Sequence, residues 1–333
     1  MTTETALTCC ACGRQMRPQL SSWTFRCTDC RCWASSLDIT INAHEGRQID
    51  ESLRESGLEA IRAENDRRVL DALDSLAPLS ETTLLDVGSA YGWFLSAADS
   101  RGAIVLGIEP DEQVAERSQL PMTVRRGFFP AALRDDEYFD VITYNDVLEH
   151  LPDPAAAIHA SAQHLNPGGL LSINIPDSRG LGFAISRAAA RAGMASSYER
   201  LWQKDLPSPH IWYLNPGTLN TLATREGLEL VHQRRLPSLS AKGLWDRIHM
   251  DRRPSLVSRS QFLAISLLRP VFNSPAFSDI LHIVFRKPGR SGSPARTRAD
   301  EHPLTKSEVV EGNRQTHRAY LPDQVTRTPG LAG

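Results

Sequence analysis

Six cysteines fall between Cys9 and Cys32, and the rest of the 333-residue chain contains none. Four of them form two C-x-x-C pairs, Cys9-x-x-Cys12 and Cys27-x-x-Cys30, with 14 residues between the pairs. A two-residue spacing puts both thiolates on one tight turn, and two such turns complete a tetrahedral four-sulfur site of the kind zinc takes. Cys10 and Cys32 offer alternative registers, but the matched spacing favours Cys9, Cys12, Cys27 and Cys30. Four protein ligands leave no open position, so such an ion is structural. A unit of fewer than about 40 residues buries little core, and metal would supply its folding energy.

A second constellation begins at Asp86. Leu84-Leu85-Asp86-Val87 reads as a buried strand that runs into Gly88-Ser89-Ala90-Tyr91-Gly92 and then a helix near Trp93. Glycine allows the tight turn and close backbone approach, and a helix N-terminus offers free N–H groups to a polar ligand. Glu109 follows 21 residues after Gly88, at the end of the next strand. An acid at that distance accepts hydrogen bonds from ribose hydroxyls. A dinucleotide is disfavoured, because the three glycine positions of its fingerprint hold Gly88, Ala90 and Trp93 here.

Proton transfer has its own candidates. Asp146, Glu149 and His150 follow a later strand, and His210 lies further on. A histidine titrates near neutrality and suits proton removal. Asp146-x-x-Glu149 also has the spacing of a capping box, in which case the pair only starts a helix. Tyr144 and Tyr213 read as packed walls.

These residues need elements to hold them. Residues 7–42 form a first unit, in which residues 14–26 suit a short hairpin. Residues 46–77 carry apolar side chains at helical spacing, read as one or two helices ended by Pro78. Strands then alternate with helices: residues 84–87, 105–108, 122–124, 139–144 and 170–175. That alternation implies a parallel sheet covered on both faces. Residues 216–227 read as a helix, 228–236 as a strand, 262–272 as an apolar helix and 281–285 as a last strand. Insertions are expected at 181–209 and 237–279, and residues 288–333 read as a disordered tail, rich in Pro, Gly, Arg and Thr.

The second constellation resembles motif I of the class I S-adenosylmethionine-dependent methyltransferases, with Ala90 in place of the middle glycine. The resemblance continues in order. Glu109-Pro110-Asp111 is similar to the ribose-binding end of strand two, and Gly127-Phe128-Phe129-Pro130 sits where the family contacts adenine. Asn145 to Pro154 resembles the strand-four region, Leu165 to Gly169 the turn before strand five, and His210 to Leu219 a segment of a small-molecule and sugar subgroup. The match covers roughly residues 50 to 236. It implies an α/β fold: a seven-stranded, doubly wound Rossmann-like sheet in the order 3-2-1-4-5-7-6, spanning 46–287 behind the zinc ribbon. It also implies a cofactor, S-adenosylmethionine, held by Asp86, Gly88, Ser89, Ala90, Gly92, Glu109, Phe128 and Asn145. His150, His210 and Asp146 are the catalytic candidates, acting on a small-molecule or sugar-type acceptor.

Composition sets limits. The net charge is -2, so no nucleic acid is demanded as a partner. No apolar run is long enough to span a membrane. The polar start and clustered thiols lead to the expectation of a cytoplasmic protein. The stretch Asn145-Asp146-Val147-Leu148 lacks the Asn/Asp-Pro-Pro-Tyr motif common among adenine and glutamine methyltransferases. Two alternatives stay open: an RNA-directed methyltransferase that uses the mildly basic ribbon (Arg14, Arg17, Arg26, Arg31) for binding, and a non-catalytic binding protein that retains the fold.

Overall fold

The computed structural model of the chain describes residues 7–40, 51–120, 123–239 and 256–289. Most of the tail expected beyond residue 288 therefore lies outside the described residues. No helix among them is long and apolar enough to cross a membrane.

Three short strands open the chain: β1 (Arg17–Pro18), β2 (Thr24–Arg26) and β3 (Trp33–Ser35). A long helix, α1 (Glu51–Leu76), follows as a single element. Then come β4 (Thr83–Val87), α2 (Trp93–Asp99), β5 (Ile104–Glu109), α3 (Glu112–Glu116) and β6 (Val124–Arg126). β7 (Phe139–Asn145) leads into a 3-10 turn, Leu148–His150, and then α4 (Pro154–His164) and β8 (Leu165–Pro176). The remaining elements are α5 (Leu181–Arg191), α6 (Ser196–Leu201), β9 (Trp212–Tyr213), α7 (Pro216–Arg225), β10 (Glu229–Leu236), α8 (Leu256–Phe272) and β11 (Ile280–Arg286).

The seven-stranded sheet has the order β10-β11-β8-β7-β4-β5-β6. β6, β5, β4, β7 and β8 pair in parallel, whereas β11 is antiparallel to both β8 and β10. This is the expected 3-2-1-4-5-7-6 order. The strands are apolar runs because both faces are covered. On β4, Leu85 and Val87 face the layer that also contains Ile158 of α4 and Leu219 of α7, while Leu84 faces Val69, Leu70 and Leu73 of α1 and Phe94 of α2.

Local signals start the helices. Asp153 caps α4, its Oδ1 accepting from the N–H groups of Ala155 and Ala156, both at 3.0 Å, and Pro154 fills the first helical position. Asn215 and Pro216 repeat the device on α7.

The third strand, expected at Met122–Val124, is observed as Val124–Arg126. Arg125 is buried in it, which its charge conceals from a sequence reading. Glu137 takes both of its terminal nitrogens, at 2.6 and 2.7 Å. Strand five is longer than expected, because the Leu165–Gly169 turn joins β8 and Leu165 pairs with Phe139. The insertion at 237–279 contains α8. Asn273 pins its two ends together, accepting from the N–H groups of Ser238 and Leu239 and donating to Leu239 O at 2.7 Å.

The first unit does not stand apart. β1, β2 and β3 form a four-stranded sheet with β9, which belongs to the larger domain. Trp33 of β3 packs with Phe183, Tyr198, Trp202 and Tyr213 in a third apolar cluster at that seam.

Candidate active site

The loop after β4 is built on left-handed backbone. Gly88, Ala90 and Gly92 have φ of 71°, 45° and 74°. A Cβ on Gly88 would lie 2.6 Å from Val147 Cγ2, so glycine is required there for space as well as for conformation. The N–H groups of Gly88 and Ser89 both donate to Ile108 O, at 2.7 and 3.1 Å, which holds the loop against β5.

Glu109 ends β5 and is buried. Its Oε2 accepts from Ala90 N–H and its Oε1 from Asp111 N–H, each at 2.9 Å. A carboxylate has about four lone-pair sites, so two remain for ligand hydroxyls. Burial raises its pKa. Asp86 is buried below the loop, with Oδ1 accepting from Thr143 Oγ1 at 2.6 Å and Asn145 Nδ2 at 3.1 Å. Burial pushes its carboxyl up to about 7, against the pull of those two donors.

Asp66 of α1 lies near enough to Asp86 and Asp146 to feel their charges, a neighbour that sequence reasoning missed. Burial pushes it to about 7 as well, and the charges of Asp86 and Asp146 add to that rise. An acid on one face of a charged helix has no spacing signature. Asp66, Asp86, Glu109 and Asp146 thus gather carboxyl groups near the ends of β4, β5 and β7. Phe128, beyond Gly127, is 60% exposed, and Gly127 N–H donates to Glu109 O at 3.1 Å.

Past β7, Asp146 adopts a left-handed φ of 55°. Glu149 does not close a capping box: its carboxylate is buried, and neither oxygen accepts a hydrogen bond from another residue. Burial, then the charge of Asp146, holds its pKa well above the usual carboxylate range. The rings of His150 and His210 meet edge to face with centroids 4.7 Å apart. His150 Nδ1 lies 2.9 Å from Pro209 O and 3.2 Å from Ser208 Oγ. Gln203 Nε2 lies 2.9 Å from His210 Nε2. One ligand-type atom each from Glu149, His150 and His210 lie within 4.8 Å of one another. The two histidines, far apart in sequence, are thus neighbours in space. Tyr144 and Tyr213 are both buried, as expected of walls. Tyr144 shares a hydrogen with Ser161 Oγ at 2.8 Å, and Tyr213 stacks on Phe183 at 4.3 Å.

In the ribbon, the thiol sulfurs of Cys9, Cys12, Cys27 and Cys30 also lie within 4.8 Å of one another. Cys12 Sγ and Cys27 Sγ are 3.6 Å apart. Four sulfurs at about 2.3 Å from a tetrahedral zinc would be separated by about 3.8 Å, so the donor set fits the ion. Cys30 N–H points at Cys27 Sγ, at 3.3 Å, as in a metal knuckle. Cys32 is buried with its sulfur 3.6 Å from Cys9 Sγ, which keeps the second register physically close.

A methyltransferase-domain family model matches residues 58–233, more than half of the chain. The chain belongs to this family and is a class I S-adenosylmethionine-dependent methyltransferase. Among curated relatives, it is 37% identical over 105 residues to the ubiquinone biosynthesis O-methyltransferase of Saccharophagus degradans, covering 29% of this chain and 44% of that protein. It is 37% identical over 124 residues to the Pseudomonas putida protein of the same name, covering 35% and 53%. The chain spans about half the length of the curated relatives it matches. Among solved structures, a chain of the Haloferax volcanii complex containing the Trm112 methyltransferase activator aligns with a TM-score of 0.51 at 16% identity, over 73% of this chain and 96% of that one. That likeness shows the fold.

Proposed function

We propose that the enzyme methylates an oxygen of a small-molecule acceptor, and that His150 or His210 takes the acceptor proton. One observation carries this reading. His150 stands just past β7, at the carboxyl edge where ligands bind in open α/β sheets and where β4 ends beside β7, and the ring of His210 is brought against it. The curated relatives named as O-methyltransferases support the oxygen acceptor.

When bound, S-adenosylmethionine supplies an activated sulfonium methyl. The chain's own residues do the rest. Glu109 would hold the ribose hydroxyls with its remaining lone pairs. The side chains of Ser89, Asn145 and Asp86 would hold the amino-acid end, and Phe128 would cover the base. When ionised, Asp66, Asp86 and Asp146 would favour the cationic cofactor over its uncharged thioether product, and the bound cation would in turn favour their ionised form. Positioning of the acceptor supplies roughly 7–11 kcal/mol of barrier reduction, and His150 or His210 removes the hydroxyl proton. Asp146 sets the charge beside Glu149. Zinc would be held by Cys9, Cys12, Cys27 and Cys30 as a structural ion.

A second reading rests on Glu149, whose buried carboxylate has no partner from another residue. Glu149, His150 and His210 would hold a divalent cation that lowers the pKa of the acceptor hydroxyl. Elemental analysis separates the two: one metal ion per chain for the ribbon alone, two with this site filled.

The reading is tested by calorimetry with S-adenosylhomocysteine, followed by mass spectrometry of phenols, catechols, sugars and RNA incubated with enzyme and cofactor. Glu109→Ala is expected to weaken binding at least about tenfold, the loss of two hydrogen bonds. A catechol or phenol should gain one methyl. Cofactor binding without any methylated acceptor would favour the non-catalytic alternative, and methylated RNA the other.

A further inference from the structure

We propose that the cysteine ribbon is a positioning element of the acceptor site, in which Ser35 and the Cys30 knuckle hold the segment carrying His210 against Glu149 and His150. The proposal rests on the reading of those three residues as the acceptor side.

The segment from His210 to Asn215 is gripped at both ends by the ribbon. At its start, Ser35 Oγ donates to His210 O at 2.7 Å, and Ser35 N–H donates to Ile211 O at 2.8 Å. In its middle, Trp212 and Tyr213 pair with Ala34 and Trp33. At its end, Asn215 Nδ2 donates to Cys30 O at 2.9 Å. Cys30 is one of the four clustered thiols, so the carbonyl that anchors Asn215 belongs to the metal knuckle itself.

On its other side, the same segment meets the 3-10 turn. Ile211 N–H donates to Glu149 O at 2.8 Å, and His150 Nδ1 meets Pro209 O at 2.9 Å. His210 is therefore fixed between the ribbon and the turn that carries Glu149 and His150. A short segment of this kind has little register of its own. The ribbon provides it, and metal provides the ribbon's stability. An independent nucleic-acid module would need no strand shared with the catalytic domain.

The test is hydrogen exchange of the full-length protein, zinc-loaded and chelator-treated, with Ser35→Ala and Ser35→Thr alongside. Metal removal is expected to speed amide exchange in residues 210–215 by at least about tenfold, the equivalent of one net hydrogen bond. Amides of β4 and β5 and the affinity for S-adenosylhomocysteine should stay unchanged. Ser35→Ala should produce the same local loosening and lower acceptor kcat/KM without changing cofactor KM, and Ser35→Thr should restore both. Unchanged exchange at 210–215 in a metal-free or Ser35→Ala protein overturns the proposal, as does loosening that extends equally to β4 and β5. If the ribbon takes up no zinc, the Ser35 variants decide alone. If no acceptor is methylated while the exchange pattern appears, the clamp stands and the catalytic reading falls.

Discussion

Asp86 is a buried carboxyl whose protonation lowers its cost to stability. Its carboxyl titrates near 7 in the folded chain because it is buried, whereas an exposed aspartate titrates near about 3.9. Between those values the native state holds a proton that the unfolded chain has lost. The unfolded state binds fewer protons, so stability falls as pH rises through that window and levels off above it. Asp66 acts in the same direction. Thermal melts of the cofactor-free protein between pH 4.5 and 7.5 are therefore expected to show a falling Tm, with a shallower slope in Asp86→Asn. An unchanged slope in that variant would place the titrating groups elsewhere.

At the scale of elements, the loop after β4 depends on a glycine that two constraints require at once. Gly88→Ala places a Cβ at positive φ and against Val147. Strain of this kind costs about 1–3 kcal/mol, and chemical denaturation should show that loss together with weakened S-adenosylhomocysteine binding. Val147→Ala in the same chain should recover part of the stability by removing the contact, but not the part due to φ. Ala90, by contrast, adopts a φ of 45°, so the loop keeps its left-handed course with alanine in place of the middle glycine. This loop was legible in the sequence because its strand is a run of buried residues and its acid stands at a fixed distance. β6 was legible only approximately. Its buried Arg125 reads as a surface residue until Glu137 is placed beside it.

At the scale of the molecule, strand order was readable because alternating elements and the motif series point to one topology. The union of ribbon and catalytic domain was not. It depends on two- and three-residue strands brought together from positions as distant as Trp33 and Tyr213, and such pairings carry no local signature. The cysteines alone described a separate unit, whereas the observed sheet makes that unit a wall beside His210. The pairing of His150 with His210 was hidden for the same reason, although each was recognisable singly as a candidate base.

The place of β11 has a consequence for synthesis. It is the last described strand of the sheet to be made, yet it lies between β8 and β10 rather than at an edge. Until residues 280–286 leave the ribosome, β8 has an open flank and β10 has no neighbour to join. Unpaired flanks of this kind recruit other chains. A polypeptide stopped at residue 279 is therefore expected to aggregate when expressed, seen as loss of the monomer or native oligomer peak in size-exclusion chromatography. Completion of the catalytic domain thus waits on a seven-residue strand that carries none of the candidate catalytic residues.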